Sequence, residues 1–310
     1  MALLNIFLLK ALLLSSLATL ALGAPAYNQS TSPLDARASL PANGAKSGGC
    51  GKAATITSGT KSVTVNGKQR QYIIRVPDNY NQNTPYRLIF GFHWRGGSMQ
   101  DVATGLTDQP NIWNHYGLQK LAGETAIFVS PGGLDKGWAN NNGEDMAFVD
   151  KMLSDITAGL CVNPALIFSN GFSYGAAMSY SIACSRATKF RAVAAIAGGE
   201  VSGCAGGNDP IAYLGMHGVQ DGIFPIPRGQ LLRDRFVKNN GCTKQNPPEP
   251  VKGSVTHKKT TYANCKAGRP VVWIASDSGH ISAPADGTSG EDKRTTWAPG
   301  ETWSFFTQFS

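Results

Sequence analysis

The chain has 310 residues, of which 42% are apolar or aromatic and only 15% charged, with 36 glycines and a formal net charge of +8. That balance excludes a disordered chain, which needs low hydrophobicity with high charge, and a long coiled coil, whose heptads glycine would interrupt. The cations are scattered without a basic run, so a nucleic-acid-binding face is excluded as well.

Residues 11–22 read ALLLSSLATLAL and are followed by the small residues Gly23 and Ala24. This apolar run has the length and exit of a secretory signal peptide, expected over 1–23, although Lys10 is the only early cation. It is too short to span a membrane, and no later stretch approaches that length, so a soluble, secreted product with no membrane partner is expected. Residues 24–49 read as a mobile leader rich in Ser, Ala, Pro and Gly, with a glycosylation sequon at Asn28-Gln29-Ser30. From Cys50 to Ser310 nothing repeats and composition does not shift again, which makes 50–310 one domain.

The elements follow in order. Residues 62–77 alternate around Asn66-Gly67, the strongest short-range hairpin signal. Residues 87–92, 126–130, 166–170, 192–196, 212–216 and 271–275 are short, nearly continuous apolar runs, as strands of a parallel sheet covered on both faces require. Between them, Val149, Met152, Leu153, Ile156 and Leu160 recur at three- and four-residue steps along one helical stripe. An antiparallel hairpin leading into a mostly parallel sheet with intervening helices is the plan of an α/β-hydrolase. The proline-rich residues 240–256 read as a surface excursion.

The six cysteines, Cys50, Cys161, Cys184, Cys204, Cys242 and Cys265, suit an exported protein with three disulfides. Six cysteines allow 15 pairings. Local closure favours Cys242 with Cys265 across the excursion and Cys184 with Cys204 across one helix–strand passage, leaving Cys50 for Cys161. No CxxC pair and no HExxH occurs, so no metal site is expected.

Gly171-Phe172-Ser173-Tyr174-Gly175 spells G-x-S-x-G between an apolar strand and a helical stretch, the setting of a nucleophile elbow. A serine nucleophile needs an acid and then a histidine later in the chain. His280 follows the last apolar strand and Asp221 follows the strand at 212–216, which nominates Ser173, Asp221 and His280 as the catalytic set. Asp277 competes for the acid and is otherwise a surface carboxylate. His115 and His257 read as packing or solvated residues, and His93 and His217 as loop supports. The oxyanion hole is expected from the N–H of Tyr174 and from Trp94 or Arg95 in the glycine-rich loop 92–98. Trp94, Trp138, Tyr174 and Phe224 are candidates to flank a substrate.

Taken together, GFHWRGGSM (91–99), GWANNNGEDMAFVD (137–150), GFSYGAAMSY (171–180), GMHGVQDGIFPI (215–226), RFVKNNGC (235–242) and PGETWSFFTQF (299–309) resemble the secreted fungal feruloyl esterases, relatives of acetylxylan esterases and polyhydroxybutyrate depolymerases. The resemblance covers about residues 50–309. It implies Ser173, Asp221 and His280 in the same three roles, no cofactor, and feruloyl esters of plant cell-wall polysaccharides such as arabinoxylan as substrates. Ala176 departs from the usual third glycine, and Ser278 from DGGH. A monomer without a carbohydrate-binding module is expected. An acetylxylan or short-polyester esterase using the same residues, and a non-catalytic wall-binding protein, are the alternatives.

Overall fold

The structure, a computed structural model, describes residues 44–105 and 111–309. The expected signal peptide, the sequon and residues 24–43 of the expected leader lie outside the described residues. Asn66 and Gly67 both take positive φ, 50° and 76°, the two-residue turn whose twist matches that of a right-twisted ribbon. They join β1 (Gly59–Val65) to β2 (Lys68–Arg75) in antiparallel register.

Seven more strands complete one nine-stranded sheet: β3 (Tyr86–Phe92), β4 (Ala126–Pro131), β5 (Val162–Phe172), β6 (Ala192–Ile196), β7 (Ala212–Gly218), β8 (His257–Thr261) and β9 (Val271–Ser276). Their order is β1-β2-β4-β3-β5-β6-β7-β9-β8, parallel from β4 through β9 and antiparallel at both ends. Helices α1 (Met99–Thr104), α2 (Leu118–Ala122), α3 (Glu144–Gly159), α4 (Tyr174–Ser185) and α5 (Ile226–Asn239) occupy connections between strands, and α6 (Ala298–Thr307) follows β9. The fold is the expected α/β-hydrolase.

Successive strand residues point to opposite faces, so each apolar run feeds two cores. Phe90 and Phe92 join Met152, Ile156, Tyr180 and Phe236 on the face covered by α3, α4 and α5. Ile89, Phe128 and Phe168 join Leu118, Phe305 and Phe306 on the face covered by α2 and α6. Each such aromatic ring taken from water contributes roughly 1.5–3 kcal/mol, and the stacking of Phe306 on Phe168 at 4.5 Å docks α6 onto the sheet.

Three boundaries differ from expectation. β5 begins four residues before its apolar run, because a register irregularity between Tyr86 and Leu88 of its neighbour tolerates Pro164. The sequence HKKTT of β8 carries no apolar signal; it is an edge strand, where lysines discourage pairing with another chain. The leader expected to reach residue 49 ends earlier. Ser47 Oγ donates to Leu160 O and accepts from Val162 N, and Gly49 is buried against Leu160, where a Cβ would stand 2.4 Å from the carbonyl oxygen. Residues 47–49 therefore belong to the body.

The disulfides are Cys50–Cys161, Cys184–Cys204 and Cys242–Cys265, the pattern that local closure favours. The first fastens the segment ahead of β1 to the head of β5, and the third staples the excursion between α5 and β8. No helix among the described residues is long and apolar enough to cross a membrane. Replacing Cys242 and Cys265 by Ser opens a closure of 23 residues, and should lower unfolding free energy in denaturant titrations by about 2–4 kcal/mol.

Candidate active site

The site is built where β5 stops. Ser173, between β5 and α4, has φ 57° and ψ −116°, a conformation that costs about 1–3 kcal/mol for a residue with a side chain. Backbone contacts hold it there: Ser173 N donates to Ile196 O at 3.0 Å, and Ala177 N donates to Ser173 O at 3.0 Å. The glycines on either side are required by contact. A Cβ on Gly171 would lie 2.5 Å from the Gly175 carbonyl carbon, and one on Gly175 would lie 1.9 Å from Phe92 O. The motif thus marks the place where β5, β3 and α4 touch backbone to backbone. Ala176 is accommodated because its methyl faces Gly198, where a side chain would approach it within 3.0 Å.

His280 lies in the loop after β9. Its Nε2 is 2.8 Å from Ser173 Oγ, and its Nδ1 is 2.7 Å from Asp221 Oδ2. A carboxylate only accepts, so Nδ1 carries the proton and Nε2 is left to accept the serine hydroxyl. Asp221 occupies the loop after β7, buried, and its Oδ1 accepts from the N–H groups of Ile223 and Phe224, each at 2.8 Å. Burial by itself would raise its pKa. The imidazoles of His217 and His280 and the Phe224 N–H outweigh burial and hold the carboxyl well below its ordinary range.

Asp277, expected as a surface carboxylate, is buried. It is 2% exposed, accepts from Gln220 Nε2 at 2.6 Å and from Val255 N at 2.8 Å, and so ties the Asp221 loop to the excursion. Trp138, a candidate to flank substrate, is fully buried, with its indole N–H donating to His93 O at 2.8 Å. It anchors the loop after β3 from beneath and offers no face to a ligand. His93, neutral by burial, donates from Nδ1 to Trp94 O and accepts from Gly133 N, which clamps the same loop to the one after β4.

Within the glycine-rich loop the N–H groups of Gly96 and Gly97 are taken by Lys136 O and Trp94 O. Those of Trp94 and Arg95 stand ahead of them in the loop, and that of Tyr174 opens α4. His115 is a packing residue, stacked on Phe128 and lowered by burial to about 3. His257 is on β8, beside Asp286 and Trp297, away from the three residues joined at Ser173.

The aromatic surround only partly matches expectation. Phe224 meets the His280 ring edge to face at 5.7 Å. Phe172, not singled out by sequence, lies closer at 4.8 Å and also packs beside Trp94 at 6.5 Å. Its signal was available: it immediately precedes Ser173 at the C-terminal end of the strand that leads into the G-x-S-x-G turn. Tyr174 rests against Gly137 and borders a cavity of about 190 Å³ whose lining includes Arg95, Leu134, Asp135, Ala139, Glu144 and Asp145. Ile223, 65% exposed, projects beside Phe224.

A serine hydroxyl, an imidazole and a buried carboxylate joined in one hydrogen-bonded chain at the C-terminal edge of such a sheet place the molecule among the α/β-hydrolases of the serine type. No family model matches the chain. Feruloyl esterase D of Neurospora crassa is 46% identical over 271 residues, covering 86% of this chain and 91% of that protein. Feruloyl esterase C of Emericella nidulans is 47% identical over 266 residues, covering 86% and 93%. Among solved structures, an acetyl xylan esterase from Aspergillus awamori superposes over 81% of this chain and all of that one, with TM-score 0.57 at 15% identity, which speaks to the fold alone. The chain belongs to the feruloyl esterase family.

The depressed Asp221 carboxyl makes a pH prediction. A group whose folded pKa lies below its unfolded value, about 3.9, stabilises fully above that value and loses its contribution as pH falls toward the folded one. The stability gap between the wild type and Asp221→Asn, from urea titrations, should be widest near neutral pH and should narrow below about pH 4.

Proposed function

We propose that this protein hydrolyses feruloyl and related hydroxycinnamoyl esters of plant cell-wall polysaccharides, with Ser173 as nucleophile, His280 as general base and acid, and Asp221 as its orienting carboxylate. The observation that carries the reading is the chain from Ser173 Oγ through His280 to Asp221, lengths 2.8 and 2.7 Å, in a member of the feruloyl esterase family.

His280 Nε2 accepts the Ser173 proton as Oγ attacks the ester carbonyl. Asp221 stabilises the imidazolium and keeps Nδ1 protonated. The developing oxyanion turns toward the N–H of Tyr174, at the positive end of α4, and toward that of Trp94. The tetrahedral intermediate collapses as His280 returns the proton to the sugar oxygen, which leaves as an alcohol. Water, deprotonated by the same imidazole, then releases the acid and restores Ser173. Phe172, Phe224, Trp94 and Tyr174 supply apolar faces for the aromatic acyl group, worth about 25 cal/mol per Å² buried.

Residues 47–309 form the catalytic unit of this proposal. Export behind a signal peptide at 1–23 fits three disulfides, which persist in oxidising compartments.

Ser173→Ala and His280→Ala should each lower kcat on methyl ferulate by at least about 10⁴-fold with unchanged thermal unfolding. Asp221→Asn should cost at least about 10³-fold. Asp277→Asn should instead lower stability by about 1–3 kcal/mol, through the unpaired Val255 N–H, with kcat within about tenfold. Steady-state kinetics with urea titrations separate these outcomes; a crippled Asp277→Asn beside an active Asp221→Asn would reverse the assignment of the acid. Side-by-side rates should favour methyl ferulate over acetylated xylan by at least about tenfold in kcat/KM, since a pocket filled by an aromatic ring gains little from acetyl. Equal or better turnover of acetylated xylan would refute the feruloyl preference and leave the serine-esterase chemistry standing.

A further inference from the structure

His217, the penultimate residue of β7, has a side chain 1% exposed and a ring parallel to Trp273. Its Nε2 is 2.6 Å from Phe224 O and 3.4 Å from Asp221 Oδ2. A carbonyl oxygen only accepts, so Nε2 carries the proton and the shorter contact receives it; Asp221 feels the same N–H as a longer, electrostatic contact. Phe224 in turn donates its own N–H to Asp221 Oδ1. The contacts close a circuit: imidazole to Phe224 carbonyl, Phe224 N–H to one carboxylate oxygen, and imidazole back to the other.

The far side of the ring is held as tightly. Gly229 in the first turn of α5 lies against it, and a Cβ there would stand 2.3 Å from His217 Nδ1. Glycine inside a helix costs about 1 kcal/mol relative to alanine, and here the missing methyl is the space that the imidazole fills. One ring is therefore wedged between α5, the Phe224 carbonyl and the Asp221 carboxylate.

We propose that His217 is a positioning residue that fixes the Asp221 carboxylate and the Phe224 backbone in one arrangement, so that the acid facing His280 and the ring packed against His280 move together or not at all. The inference rests on the reading of Ser173, His280 and Asp221 as the reacting chain. His217 touches neither Ser173 nor the reacting carbonyl in this scheme; it acts through Asp221, and displacing a carboxylate by about 1 Å is enough to cost up to about 100-fold in rate.

The test is a double-mutant cycle on the full chain with methyl ferulate. His217→Leu should lower kcat about 10- to 100-fold with KM within about threefold, while His217→Gln, whose amide can still donate to Phe224 O, should recover most of the loss. In an Asp221→Asn background His217→Leu should cost less than about threefold, because the group through which it acts is gone. Near-UV circular dichroism checks that each variant is folded. If His217→Leu is not, Gly229→Ala, which pushes the same ring from the α5 side, is read in the same cycle. Wild-type kcat in His217→Leu, or an equal loss in both backgrounds, overturns the inference. Should Asp221→Asn itself keep wild-type kcat, the acid assignment falls and this proposal with it; a crippled Asp221→Asn beside a fully active His217→Leu removes the positioning role alone.

Discussion

The carbonyl oxygen of Phe92 lies where a Cβ on Gly175 would have to be, 1.9 Å away, and the Tyr116 hydroxyl donates to that same oxygen at 2.7 Å. Because no side chain can separate them, the end of β3 and the first turn of α4 are in backbone contact. That contact sets how far β5 can run before it must turn, and it forces the turn into the strained geometry of Ser173. It also places the loop that follows Phe92 beside the N-terminus of α4, so the candidate nucleophile and the candidate oxyanion donors are set by one steric constraint. The costs are local, one strained residue and two glycines, and a sheet buried on both faces offsets them.

Around that point each strand end contributes one part. The loop after β3 carries Trp94 and Arg95, held from beneath by Trp138 and from the side by His93. β5 presents Phe172 and Ser173, the loop after β6 supplies Gly199 against the Phe224 ring, the loop after β7 supplies Asp221, and the loop after β9 supplies His280. Functional side chains gather at the carboxyl ends of parallel strands because the connections there are loops and helix starts, with N–H groups free to face an anion.

Two buried carboxylates show how the molecule handles charge. Asp145 is matched by the Arg70 guanidinium at 2.7 Å, yet burial still raises its pKa, and it serves to pin the loop before α3 through Asn140. Among the described residues no lysine or arginine pairs with Asp221. Backbone and imidazole N–H groups surround it and hold it ionised, which leaves its charge directed at His280 rather than neutralised beside it. A full salt bridge would have spent the field that the imidazolium needs.

Much of this was legible in the residue order because local chemistry dictates it. Asn66-Gly67 admits one kind of turn, runs such as AVAAI admit burial on both faces, G-x-S-x-G between strand and helix admits one backbone path, and placement just after apolar strands, in the order Ser, Asp, His, nominates Asp221 and His280, although Asp277 satisfies the same order. The cysteine pairing was legible for a related reason, since short closures bring their ends together before long ones. What sequence could not supply depends on distance through space. Whether Trp138 faces a ligand or the core, whether Asp277 is a surface group or a buried tie, that polar HKKTT is an edge strand, and that His217 reaches both Asp221 and Phe224 are decided by which chain segments meet across the sheet. A tryptophan or a carboxylate reads the same in either place; only packing assigns its neighbours, and those neighbours determine its role.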